Sequence, residues 1–430
     1  MDHLQTYPGY QRRQIKNPRE LYLILFSLCF SLIGTIAFIF DIELLLVISG
    51  LGLSFVILLR PFWGLLLFTL LLPLESSYLA LGGGVTTITR ILGIYIFGVW
   101  VINLIINKKG ITFPKILLAA YGLIFWGATS LLWAEYRSAA IGRVETGVQL
   151  AILLLLVLNS TNSRERLKSI IFALLLGSLI ITLLGLLGVG VADYTDYLTL
   201  AGQGAKEYGS YVGVVLLIGS IYLFYKTGLT RWLGFLAVLV AMIALIRVNQ
   251  RGVLLGVGAA WLGLTIVTKQ KFKTIFLIML LLLIFNISID ILFERGFITD
   301  TLVSRLTIEN IIETGGTGRT EIWDTGWRMF LNNFLLGTGI NNFPIVYPEY
   351  AKNIDVIMNT DPHSDIVSIA GELGIVGIVL YLVFISKLIL DNYSELQKSD
   401  INQTNIIIFI VFSLLIFYFS VGLTSTLIWR

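Results

Sequence analysis

The sequence contains repeated, nearly uninterrupted apolar runs of about 20 residues, the length that one helix needs to cross a bilayer. A soluble domain is excluded, because 57% of the residues are hydrophobic and only 13% are charged. These runs lack the alternation of a membrane barrel, and a chain in lipid must satisfy its backbone hydrogen bonds within helices. The sequence therefore predicts an all-α polytopic integral membrane protein with about 12 or 13 transmembrane helices and no strands.

We place the membrane helices near residues 21–40, 42–59, 61–80, 88–107, 114–133, 144–159, 168–190, 209–225, 232–248, 252–268, 272–291, 364–387 and 404–428. The first is interpreted as a retained span, because no small-residue cleavage pattern follows it. The predicted organisation is a cytoplasmic tail (1–20), transmembrane helices (21–291), a large loop (292–363) and C-terminal transmembrane helices (364–430). Cys29 is the single cysteine, which excludes an internal disulfide and a thiol metal cluster.

The distribution of charge predicts which loops share a side of the membrane. With the N-terminus in the cytoplasm, the larger share of the 30 Lys and Arg falls on the inner side, as the positive-inside rule requires. The loop 292–363 and the short turn at Arg247–Gly252 then both face outside. Because this loop is the longest stretch without an apolar span, we expect the chemistry of the protein to lie there.

In the short outer turn, Gln250 and Arg251 stand at the start of an apolar helix. A guanidinium beside the unpaired N–H groups of a helix start can form an anion site. The alternative is an arginine that only reaches from the helix end to the membrane interface. Arg247 has the same two interpretations and lies one turn earlier.

In the long loop, Arg319 follows the glycine-rich segment Gly315–Gly318 and opens an amphipathic helix suited to the membrane surface. The glycines do not make a P-loop, because no Gly-Lys-Ser/Thr ending follows them. Arg319 is a candidate for anion recognition, with Trp323 one turn further on. Its alternative role is structural, as a stack on Trp323 or an ion pair with a nearby acidic side chain.

His363 is one of only two histidines, so a histidine-rich metal site is excluded. It lies just before a membrane helix, where the helix N-terminus disfavours an imidazolium and a neutral, proton-accepting ring is expected. The alternative is a surface histidine without a role. Within the helix, Glu372 is a functional candidate because an unpaired carboxylate in lipid is costly, and an outer arginine is its expected partner. Arg90 and Arg143, near outer helix ends, are further candidates for the same anionic ligand.

Taken together, these motifs resemble the O-antigen ligase and Wzy polymerase-related family of bacterial membrane glycosyltransferases. The matching segments are Gln250–Gly252, Gly318–Trp323, Gly337–Phe343, Pro362–Ser364 and Gly371–Gly377. Their order, spacing and shared outward side carry the resemblance, which covers the chain from about Val248 to Leu380.

The resemblance implies a GT-C-like helical enzyme of the bacterial inner membrane with a large periplasmic loop and a periplasmic active site. Such an enzyme moves a glycan from an undecaprenyl diphosphate carrier to a lipid A-core sugar or to another carrier-linked repeat, in lipopolysaccharide or other cell-envelope polysaccharide biosynthesis. It further implies that Arg251 and Arg319 hold the donor diphosphate and that His363 assists the acceptor hydroxyl, with no metal or other cofactor. Gln250, Trp323, Glu372, Arg247 and Arg90 are then expected to bind substrate, and no nucleic acid is involved.

Two other classes of function compete with a transferase. A flippase or secondary transporter of a lipid-linked saccharide would place its polar groups near the midplane and show inverted repeats, whereas here the polar groups gather at the outer surface. A structural membrane subunit with a docking loop would make Arg319 and His363 dispensable. Glycan transfer is the function that the sequence favours.

Overall fold

In a computed structural model of the protein, the described residues are 26–27, 29, 31, 43–75, 80–81, 86–108, 110–188, 205–248, 250–268, 271, 274–275, 278–283, 319–352, 360–397 and 406–427. The helices among them are α1 (Glu43–Leu59), α2 (Pro61–Leu71), α3 (Ile88–Ile106), α4 (Leu117–Thr129), α5 (Arg137–Ser160), α6 (Arg164–Leu186), α7 (Ala205–Tyr225), α8 (Leu229–Val248), α9 (Arg251–Val267), α10 (Arg319–Asn332), α11 (Phe343–Tyr350), α12 (Asp365–Gln397) and α13 (Ile406–Thr424). Short 3-10 turns follow α2 at Leu72–Leu74 and α4 at Ser130–Leu132.

The prediction of an all-α polytopic membrane protein is confirmed. Seven helices in the described part of the chain are long and apolar enough to cross a membrane, namely α3, α5, α6, α7, α8, α12 and α13. The shorter helices α2, α4 and α9 and the segment Ile48–Leu59 of α1 are also apolar. Most of the predicted spans 21–40 and 272–291, and the loop up to residue 318, lie outside the described residues.

The expectation that the chain contains no strand is wrong at one place. Strand β1 (Ala80–Leu81) pairs antiparallel with strand β2 (Thr86–Thr87). The predicted helix at 61–80 is correspondingly shorter, since α2 ends at Leu71 and Pro73 lies in the following 3-10 turn. Proline lacks an amide N–H and breaks the ladder of a continuing helix, although the surrounding residues are apolar.

Several helices also extend beyond the predicted spans. Helix α5 begins at Arg137 instead of 144, α7 at Ala205 instead of 209, and α12 continues to Gln397 instead of ending at 387. The length of an apolar run corresponds to the thickness of the hydrocarbon layer that a helix crosses, whereas charged residues can continue the same helix into water. The extension of α7 is the one that matters for the site, because it contains Lys206.

The chain divides into two compact units. In the first, Met1–Leu67 with Ile94–Lys109, the helices pack closely at Gly64, where an added Cβ would lie 2.8 Å from Ile57 and 2.9 Å from Ile96. The Tyr95 hydroxyl also donates a hydrogen bond of 2.7 Å to the carbonyl oxygen of Ser54. Helices α1, α2 and α3 are therefore held together by direct side-chain and backbone contact.

The second unit, Phe68–Gly93 with Gly110–Arg430, is built around α7. Val212, Leu217 and Ile221 of this helix are fully buried, and α6, α8, α9 and α13 pack around it. In contrast, α9 exposes Leu255, which is 61% accessible, and other large apolar side chains on its outer face. An apolar surface of this kind suits a lipid environment.

Helices α10 and α11 pack on the first turns of α12. Met329 of α10, Phe343 of α11 and Val367 of α12 form one buried cluster. The opposite face of α10 exposes Trp327 and Leu331, consistent with the amphipathic helix predicted for this segment. This packing places the first residue of α10 beside the segment that precedes α12, where the candidate site lies.

Candidate functional site

The segment before α12 holds His363 in an unusual backbone conformation. Its φ of 51° lies in the left-handed region, which costs about 1 kcal/mol or more for a residue other than glycine. The carboxylate of Asp361 stabilises this turn, since its Oδ1 accepts hydrogen bonds from the His363 amide at 2.8 Å and from the Thr426 hydroxyl at 2.7 Å. His363 is thus tied to the residues that follow α13.

Lys206, in the first turn of α7, meets the same segment. Its Nζ lies 2.6 Å from Nδ1 of His363 and 3.3 Å from Oδ2 of Asp361. The three side chains are largely shielded from solvent, with exposed fractions of 17% for Lys206, 24% for Asp361 and 28% for His363. We call Lys206, Asp361 and His363 the His363 cluster.

The charges in this cluster keep Asp361 ionised. Burial opposes ionisation of the carboxyl group, but the Lys206 ammonium and the hydrogen bonds from His363 and Thr426 outweigh it and lower the pKa of Asp361 to about 2. The Asp361 carboxylate forms an ion pair with the Lys206 ammonium at 3.3 Å. The His363 ring therefore lies beside the Lys206 ammonium and the Asp361 carboxylate.

Arg251 and Arg319 approach this cluster from two other helices. Burial lowers the pKa of the partly buried Arg319, the charge of Arg251 lowers it further, and the charge of Asp361 opposes the shift. The two guanidinium groups thus interact with each other, and Arg319 also interacts with Asp361. The three residues named as catalytic from the sequence are brought to one end of the helix bundle.

The local folding of the sequence explains how Arg251 and Arg319 reach this place. Gln250 precedes α9, and its carbonyl oxygen accepts hydrogen bonds from the amides of Val253 and Leu254. Next to it, a Cβ on Gly252 would lie 2.5 Å from the Thr424 hydroxyl, so only glycine allows α9 to start this close to the end of α13.

On α10, the Trp323 indole N–H donates a hydrogen bond of 3.1 Å to the carbonyl oxygen of Pro362. Trp323 therefore adjoins the segment that holds His363, and Gln250 directly precedes Arg251.

Glu372 has different surroundings from the other predicted site residues. It is only 3% exposed, and its Oε1 accepts a hydrogen bond of 3.3 Å from the amide of Phe343. Its own carbonyl oxygen accepts a hydrogen bond from the Gly339 amide, so the carboxylate and backbone of Glu372 both hold the loop between α10 and α11. Arg143 also holds this loop, donating a hydrogen bond of 2.8 Å to the Asn341 side chain, and its guanidinium group interacts electrostatically with Glu372.

This loop is also held by the main chain of α12. Gly374 has φ 63° and ψ −160°, which kinks α12, and the next residue, Ile375, donates its amide hydrogen to the carbonyl oxygen of Phe334. The segments Gly337–Phe343 and Gly371–Gly377, which both contributed to the predicted resemblance, therefore pack directly against each other. Their contacts stabilise the base on which α10 and α11 rest.

The two remaining predicted residues stand apart from these contacts. Arg90 is exposed in the first turn of α3, where its amide donates a hydrogen bond to the Thr87 hydroxyl. Arg247 is partly buried in the last turn of α8. Neither has a contact with the His363 cluster among those that the structure describes.

Sequence reasoning missed Lys206 and Thr426. Lys206 is a base on the predicted outer side, at the end of the polar stretch before an apolar run, but such a position alone does not point to a partner 157 residues away. Thr426 carries no signal of its own. In the described part of the chain, no group of three His, Cys, Asp or Glu side chains is arranged to hold a metal ion.

The apolar helix bundle defines a multi-pass membrane protein. Its arginine, lysine and histidine side chains gather where helix ends meet, and they form a cationic polar site at one end of the bundle. The O-antigen ligase family model matches residues 236–382, which include Arg251, Arg319 and His363. The predicted resemblance to the O-antigen ligase and Wzy-related family is therefore confirmed over this segment. A comparison with curated proteins found no match. The family match supports an enzyme of the O-antigen ligase or polymerase type, acting in polysaccharide biosynthesis.

Proposed function

We propose that the protein transfers a glycan from an undecaprenyl-diphosphate-linked donor to a sugar hydroxyl at the periplasmic face of the bacterial inner membrane. It would act as an O-antigen ligase or as a polysaccharide polymerase. The observation that carries this proposal is the electrostatic interaction of Arg251 with Arg319 beside the His363 cluster. Two like charges held near each other in a partly buried site repel, and a bound anion removes that repulsion.

A diphosphate fits this arrangement of charge. A guanidinium group is planar, stays charged and can bind two phosphate oxygens at once, which suits a diphosphate better than a single point charge would. In this proposal the arginines, and no metal ion, neutralise the donor. Gln250 and Trp323 remain substrate-binding candidates because they adjoin Arg251 and the His363 segment, respectively.

The proposed reaction is a displacement at the anomeric carbon of the donor glycan. The acceptor oxygen forms a bond to that carbon, the bond from the carbon to the diphosphate oxygen breaks, and the electron pair leaves with the diphosphate. Negative charge therefore grows on the diphosphate during the reaction. Guanidinium groups that are already in place stabilise this charge without having to reorganise.

The test is a transfer assay with purified protein in lipid nanodiscs, a lipid-linked glycan donor and candidate acceptors. Arg251→Ala, Arg319→Ala and His363→Ala should each lower the transfer rate at least about 100-fold, the loss expected when one group that stabilises the reacting charge is removed. All three should remain folded in the membrane. The product separates a ligase, which modifies lipid A-core, from a polymerase, which lengthens a carrier-linked glycan.

The matched control is Arg137→Ala. Arg137 begins α5 as Arg251 begins α9, and it is exposed, with a contact to the carbonyl oxygen of Leu132. Its removal should leave transfer near the wild-type rate. Wild-type transfer in all three site variants would refute the proposal, as would movement of the donor across the membrane without any glycan transfer, which would indicate a transporter.

A further inference from the structure

The contact between Lys206 and His363 fixes which ring nitrogen of the histidine can carry a proton. The 2.6 Å distance between Lys206 Nζ and His363 Nδ1 is that of a strong hydrogen bond. A lysine ammonium is only a donor, so Nδ1 must be the acceptor. Lys206 forms an ion pair with Asp361, whose Oδ2 lies 3.3 Å away and whose carboxyl group is ionised because its pKa is about 2.

The backbone keeps the ring in this position. The amide of His363 is bound to Asp361 Oδ1, and the preceding carbonyl oxygen, of Pro362, accepts a hydrogen bond from the Trp323 indole. Asp361 itself is bound by Thr426. The left-handed conformation of His363 is thus stabilised from several sides, as is common for strained residues in functional sites.

We propose that Lys206 is a positioning residue that holds His363 in the tautomer with its proton on Nε2, so that His363 donates a hydrogen bond to the donor diphosphate. This inference rests on the proposed function and changes the role expected for His363 from the sequence. When Nδ1 accepts from Lys206, the neutral ring has its only N–H at Nε2. That nitrogen then cannot take the proton of the acceptor hydroxyl.

The proton of the acceptor sugar hydroxyl must then pass to a group other than His363. As the bond between the anomeric carbon and the diphosphate breaks, the leaving oxygen gains negative charge and becomes the base. The acceptor oxygen bonds to carbon, its proton passes to a diphosphate oxygen, and the diphosphate leaves with that proton and the electron pair. His363 Nε2–H and the two guanidinium groups stabilise the diphosphate throughout.

The first test measures the tautomer directly and needs no activity. The chain has only two histidines, so the variant His3→Gln labelled with 15N-histidine reports His363 alone. In nanodiscs at neutral pH, we expect the spectrum of a neutral ring that is protonated at Nε2 and accepts a hydrogen bond at Nδ1. A proton on Nδ1 would overturn the inference, whether or not the protein transfers glycan.

The second test uses kinetics. Lys206→Met, which keeps an unbranched side chain only one atom shorter but cannot donate, should lower kcat about 10- to 100-fold, the usual effect of losing a charge-assisted hydrogen bond. The donor KM should change far less, and Lys206→Arg should restore most of the rate because it keeps a charged donor. Lys226→Met, at the other end of α7, should leave kcat unchanged.

The two tests separate this inference from the proposed function. If the wild-type protein transfers no glycan, the proposed function fails, while the tautomer measurement still decides whether Lys206 orients His363. If transfer occurs but Lys206→Met keeps the wild-type kcat, the positioning role is wrong. If Lys206→Met does not fold, the tautomer of the wild-type ring alone decides.

Discussion

Replacing Asp361 by asparagine removes a charge from the His363 cluster and keeps its shape. The asparagine oxygen can still accept hydrogen bonds from the His363 amide and the Thr426 hydroxyl. The lowering of the pKa of Asp361 from its ordinary value to about 2 means that the ionised carboxylate stabilises the folded state by about 2 kcal/mol. Because the folded pKa is depressed, this stabilisation is present above pH of about 4 and is lost as the pH falls through about 2.

Thermal unfolding of the wild-type protein and of Asp361→Asn should therefore be compared at two pH values. The difference in the free energy of unfolding should be about 2 kcal/mol at pH 6 and only about half of that at pH 3, where much of the ionisation term has been lost. Asp324→Asn is the control, because Asp324 pairs with Arg328 and Lys352 on an exposed surface, where water screens the charges. Its effect should be far smaller at both pH values. An equal difference at pH 6 and pH 3 for Asp361→Asn would refute the claim that its ionisation stabilises the site.

Two further predictions concern the base of the site. Glu372→Ala leaves the buried amide of Phe343 without its acceptor and should lower the free energy of unfolding by about 1–3 kcal/mol. Glu372→Gln keeps an oxygen at this place and should lower the free energy of unfolding by less. Equal thermal shifts for the two variants would contradict this prediction. Gly374→Ala forces a Cβ to within 2.6 Å of the Leu335 carbonyl oxygen in a conformation open almost only to glycine, and should destabilise by about 3 kcal/mol or more. Gly258→Ala, where the added Cβ meets nothing within 4 Å, is its control in the same unfolding assay, and equal effects would refute the steric argument.

The helical membrane fold could be predicted because lipid leaves a chain few choices. Each apolar run of about 20 residues must become a helix, so the existence of the spans follows from composition alone. The ends of the helices could not be predicted in the same way, since α5 and α12 extend far into polar sequence. The short pair of strands after Pro73 was missed because its residues carry no pattern long enough to recognise.

The candidate site was predicted in part, from residues whose chemistry is rare in an apolar chain. Arg251, Arg319 and His363 drew attention because each stands at a helix start on the predicted outer side, and the structure brings these three to the same end of the bundle. The place of Glu372 beneath the loop between α10 and α11 depends on packing against Phe343, which no local pattern reveals. Lys206 was missed for the same reason, because its partner lies 157 residues further along the chain.

The hydrogen bond from Thr426 to Asp361 has a consequence for biogenesis. Ribosomes complete α7 and the segment before α12 well before they reach residue 426, so this hydrogen bond can form only after α13 has been made. An unfinished chain emerging from the translocon would therefore lack the contact by which Thr426 holds Asp361.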